Sequence, residues 1–93
     1  MKAAQQVEAL EAVAESLGVS VCYEPMAGIV AGRGGLCRVR DQYRIIIDRR
    51  LKAPERVQIL VDSLARFDVA TVEMPEPIRG LLQGAGGAER PSA

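Results

Sequence analysis

PERVQILVDSLARFD, residues 54–68, is the stretch whose reading decides the fold. Val57, Leu60, Val61, Leu64 and Phe67 recur at the spacing of one helical face, and Ile59 and Ala65 widen that face. Gln58, Asp62 and Arg66 form the opposite, wet stripe. Asp62 and Arg66 stand one turn apart with the acid first, the order that favours an ion pair. Pro54 suits the first helical position, where a backbone N–H would lack a partner anyway. The spacing therefore predicts a core helix over 54–68 with one solvated edge.

Most of what precedes it reads as strands that need a helix to cover them. A first helix is predicted over Ala3 to Leu17, with Val7, Leu10, Val13, Ala14 and Leu17 inward and Glu8, Glu11 and Glu15 outward. Gly18 sits where a left-handed cap would end it. VSVCYE (19–24) reads as a strand. PMAGIVAGRGG (25–35) reads as a flexible connection with room for a short edge strand at 29–31. As a phosphate cradle it is weak, because it lacks the lysine–serine/threonine ending and no helix clearly follows.

GLCRVR (35–40) and YRIIID (43–48) read as a hairpin around Asp41 and Gln42. Two-residue and three-residue loops are both open. The three-residue loop is preferred because it sets Val39 opposite Ile45 and Cys37 opposite Ile47, apolar against apolar. It also leaves Arg38, Arg40 and Arg44 together on the other face. Three successive isoleucines, Ile45 to Ile47, suggest a central strand covered on both sides. VATVEM (69–74) reads as a last short strand and PEPIRGLLQ (75–83) as a short helix. The expected fold is α+β: a sheet of three to four strands packed against two main helices, in the order α-β-β-β-α with a short C-terminal helix. Residues 1–83 are expected to form one domain and 84–93 a disordered tail.

Composition limits the chemistry. The 93 residues hold no histidine, the usual zinc ligand and the usual general base near neutral pH. Cys22 and Cys37 cannot close a tetrahedral metal site alone. They lie on strands that can be neighbours, so a bridge or redox pair stands beside the reading of two small buried hydrophobes. The acidic, amphipathic N-terminus does not resemble a signal peptide, and no apolar run is long enough to span a bilayer. A cytoplasmic protein with reduced thiols is expected.

Twelve basic residues balance twelve acidic ones, unevenly placed. Arg33 to Arg56 carries a local excess of five positive charges, the segment before it a net of minus three, and the segment after it a net of minus two.

VAESLGVSV (13–21), the Gly34–Gly35 strand start, IIID (45–48) and ERVQILVDSLARF (55–67) together resemble the core of the ImmA/IrrE-type zinc metallopeptidase-like (zincin-like) family. In that family the helix carries His-Glu-x-x-His, whose histidines bind zinc while the glutamate activates water. The resemblance sets Asp62 and Arg66 at the ligand positions and Ser63 at the base position, so it implies the fold and denies the activity. An Asp62–Arg66 ion pair is then expected in the place of the metal, contributing on the order of 0.5 kcal/mol. No enzyme activity, cofactor or metal is expected.

Two functional readings follow. The first is a non-catalytic protein-interaction domain that binds a protein partner or itself, as a homodimer, by burying a sheet edge or a helix face. The alternative is a nucleic-acid-binding or regulatory module built on the basic hairpin, with Arg38, Arg40, Arg44, Arg49 and Arg50 as the candidate surface. Against the alternative stand the neutral total charge and the near absence of lysine.

Overall fold

The computed structural model describes residues 1–25 and 34–89, the side chains of 86–89 excepted. The elements are α1 (Ala3–Ser16), β1 (Ser20–Glu24), β2 (Gly34–Val39), β3 (Gln42–Asp48), α2 (Ala53–Leu64) and α3 (Glu76–Glu89). The fold is α+β, a mixed three-stranded sheet ordered β1-β3-β2. β3 is central, parallel to β1 and antiparallel to β2. No helix among the described residues is long and apolar enough to cross a membrane.

α1 ends as its sequence dictates. Leu17 caps it, Gly18 turns to φ 76°, and the N–H groups of Gly18 and Val19 return to the carbonyls of Glu15 and Ala14. That pair of bonds is a Schellman ending, which needs a residue free of a Cβ at the left-handed position. The chain is thereby aimed straight into β1.

α2 is shorter than its periodicity implies. It starts at Ala53, so Pro54 is its second residue, and it stops at Leu64 with Ala65 as cap. The N–H groups of Arg66 and Phe67 bond three residues back, to Ser63 and Leu64, tightening the chain into a turn. Phe67 leaves the helix to meet the ring of Tyr43 edge-on, with centroids 5.2 Å apart.

Leu10, Val13 and Ala14 of α1, Leu60 and Leu64 of α2, Ile78 and Leu82 of α3, and Ile45 and Ile47 of β3 form one buried cluster. Side chains alternate across a strand, so Ile46 points to the far face, where it is half-buried and stands outside that cluster. The expectation of cover on both sides of β3 therefore holds for the helix side alone among the described residues.

The expected hairpin register is corrected. The loop has two residues, Arg40 and Asp41, and Val39 lies opposite Gln42, Arg38 opposite Tyr43, Cys37 opposite Arg44 and Leu36 opposite Ile45. Leu36, the largest apolar side chain of β2, takes the helix-facing side with Ile45 and leaves Val39 47% exposed. Arg40 reaches φ 60° to close the loop, the sign that tight hairpins require at their first central position.

Two further expectations change. Residues 69–74 form turns rather than a strand. Val69 is buried, and the Arg79 guanidinium donates to the carbonyls of Val69 and Val72, so a side chain satisfies groups that a strand would have paired. The C-terminal helix continues through Gly84 to Glu89, past the expected tail boundary. Packing of Ala85 against the core helps offset the cost of helical glycine, about 1 kcal/mol each. The short edge strand expected at 29–31 lies outside the described residues, as do Arg33 and residues 90–93.

Candidate functional site

The positions matched to the zinc-binding helix do not converge. Asp62 is exposed and accepts a bond from Gln58 Nε2 at 3.0 Å. Ser63, about 100° around α2 from Asp62, is buried, and Arg66 lies past the helix end, exposed. Among the described residues no ion pair joins Asp62 to Arg66, because the end of α2 at Leu64 removes Arg66 from the turn that would align them.

The arginines are dispersed rather than gathered. Register places Arg38 on the helix-facing side of the sheet, where its guanidinium lies 5.8 Å from the Tyr43 centroid. Arg44 points to the opposite face, level with Ser20 and Cys37. Arg38 also stands 3.8 Å from Asp41, in a solvated pair. Arg49 is exposed just past β3. Arg50 turns back on Asp48, donating its backbone N–H at 3.0 Å and its guanidinium at 3.3 and 3.0 Å.

The Asp48–Arg50 pair finishes β3. The Arg50 guanidinium, then its N–H, hold the Asp48 carboxyl below the usual carboxylate range, against the opposing effect of desolvation. A carboxyl lowered on folding contributes stability above its unfolded value, near 4, that is lost as pH falls through the lower folded value. Asp48→Asn should therefore flatten the acid limb: between about pH 5 and 2 the wild type should lose more urea stability than the variant. Parallel losses would show that the pair contributes nothing.

Cys22 and Cys37 share the far face, but β3 runs between their strands. Two strand spacings separate them by about 9.6 Å or more, beyond the roughly 7 Å a disulfide can bridge. Both are free and half-buried.

A polar constellation that joins three elements is Glu11, Tyr23 and Arg56, which spacing gave no means of finding. The Tyr23 hydroxyl donates to the Glu11 carboxylate, linking β1 to α1. Arg56 of α2 stacks 4.7 Å from the Tyr23 centroid and donates to the carbonyls of Leu51 at 2.9 Å and Arg49 at 3.0 Å. These residues line a cleft of about 270 Å³ with Ala4, Val7, Glu8 and Ala53. Burial, then the bond to Glu11, push the Tyr23 phenol well above its ordinary value, outweighing the Arg56 charge. A phenol held so firmly protonated is a poor proton donor, and the arrangement works as a clamp.

Tyr23→Phe removes one charge-assisted bond and should lower stability by about 1 kcal/mol in urea melts near neutral pH. The raised phenol adds a second signature. Its stabilising contribution is complete below pH about 10 and is lost as pH rises through the higher folded value, so the variant should lack that alkaline decline.

The remaining feature is the sheet boundary. With β3 between them, β1 and β2 are both edges, unpaired on their outer sides among the described residues. A groove of about 520 Å³ runs beside β1, lined by Glu11, Glu15, Gly18, Val19, Ser20 and Val21. None of these comes from β3, which puts the groove on the free side of β1. Compared with known proteins, the chain matches no family model, no curated protein and no solved structure.

Proposed function

We propose that this chain is a non-catalytic protein-interaction domain that associates with copies of itself, on a zincin-like scaffold that lacks the metal-binding residues. The observation that carries the reading is that β1 and β2 are both edges, unpaired on their outer sides among the described residues of the three-stranded sheet. Each edge presents a row of backbone donors and acceptors that a further strand satisfies at once. Side-chain chemistry supports the non-catalytic part. The chain has no histidine, and the Tyr23 hydroxyl is already engaged by the Glu11 carboxylate. The alternative, a nucleic-acid-binding or regulatory module, draws less support. Arg38 and Arg44 lie on opposite faces, and Arg50 is committed to Asp48.

Static light scattering over a concentration series tests the proposal. The mass should climb above the 10.0 kDa of one chain as concentration rises. A mass fixed at one chain up to millimolar protein would refute it. Binding to random oligonucleotides that weakens steeply with salt would transfer support to the alternative.

A further inference from the structure

Resting on the self-association reading, we infer that the copies join head to tail, β2 of one chain pairing with β1 of the next through oppositely charged edges. The strand directions permit it. β1 runs parallel to β3 and β2 antiparallel to it, so a sheet continued by another copy brings β2 against β1 as an antiparallel ladder.

Levels across the sheet then fix which residues meet. Arg44 pairs with Ser20 on one side and Cys37 on the other, so Cys37 and Ser20 stand at one height. Continued across the junction, Cys37 of one copy faces Ser20 of the next. Arg38 and Arg40 are thereby carried to the end of β1 where α1 terminates, beside Glu15. Both arginines and Glu15 are exposed, and the 3.8 Å pair of Arg38 with Asp41 is solvated and weak enough to exchange for Glu15. Val39, 47% exposed, comes level with Gly18, where a glycine leaves open space within 4 Å.

A closed two-fold dimer is the competing arrangement, and charge disfavours it. β1 against β1 brings the Glu24 end of one copy toward Ser20 and Glu15 of the other, acid toward acid. β2 against β2 sets Arg38 near Gly34 and Gly35, with no acid to meet. Only the heterologous pairing brings the two arginines against an acid of the next copy, Glu15, and such pairing grows into rings or open chains.

Sedimentation of the full chain tests this by charge exchange. The weight-average mass of the wild type should pass twice the chain mass as concentration rises, and fall back in high salt. Glu15→Lys alone should sediment as monomer, and so should Arg38→Glu with Arg40→Glu. An equimolar mixture of the two proteins should associate again, because each basic edge then finds an acidic one. Arg38→Gln with Arg40→Gln keeps the hairpin close to its original size and should weaken association roughly tenfold, which covers the case that the reversed hairpin fails to fold. A mixture that stays monomeric, or variants that associate like the wild type, overturns the head-to-tail arrangement. A wild type that stops at a dimer insensitive to these changes overturns it while sparing self-association. A wild type that remains monomeric throughout removes both.

Discussion

Gly34→Ala should cost the protein about 3 kcal/mol or more, one of the two largest effects expected of any single substitution. Gly34 opens β2 at φ 137°, a backbone conformation that residues with a Cβ rarely adopt. An added methyl would fall well inside contact distance of the Ile46 carbonyl oxygen, and 3.0 Å from both the Ile46 carbonyl carbon and the Ile47 Cα. These are backbone atoms of the central strand and cannot rotate away. The ladder between β2 and β3 would have to part at that end or slip. Gly35 is the internal control, since a Cβ there meets nothing within 4 Å. Thermal melts should place Gly34→Ala about 10 °C or more below the wild type, with Gly35→Ala much closer to it. Equal melting temperatures for the two variants would mean that the close approach at Gly34 is not what fixes the hairpin.

The second large effect is expected at Leu60. It is fully buried at the middle of α2, in the cluster shared with α1, α3 and the sheet. Leu60→Ala keeps a strong helix former, so the loss reports packing alone: the transfer of the missing atoms plus the cavity they leave, about 2–5 kcal/mol. Asp62→Ala on the same helix is the useful contrast. It removes only the exposed contact from Gln58, so it should fall within about 0.5 kcal/mol of wild type in urea melts. A large loss at Asp62 would show that this position has a structural duty its exposed setting does not suggest.

Some of the structure was legible because it is local. Apolar spacing identified the buried stripes of α1 and α2, and Gly18 marked where α1 had to stop. The isoleucine run found the central strand. Periodicity failed where a partner far along the chain decided the outcome. Phe67 continues the apolar stripe of α2 in sequence, yet it leaves the helix for Tyr43. Val69 and Val72 look like strand residues until Arg79 claims their carbonyls. Glu11 reads as part of a wet stripe, but it is half-buried under the Tyr23 hydroxyl.

The candidate surface shows the same division. Sequence alone located the positive charge in the hairpin and the negative charge in the first helix, because charge is a property of residues one at a time. It could not say which arginines act together. Apolar matching favoured one register, whereas Leu36 pairing with Ile45 and the close approach at Gly34 selected another, and that choice sent Arg38 and Arg44 to opposite faces.

The amino-acid sequence by itself determined the class of fold, the aliphatic core and the absence of histidine chemistry, since composition and periodicity carry them. Strand order, hairpin register, the Glu11–Tyr23–Arg56 clamp and the two oppositely charged edges were decided only by tertiary structure. Each depends on which distant residues come within a few ångströms of one another, and local spacing holds no record of that.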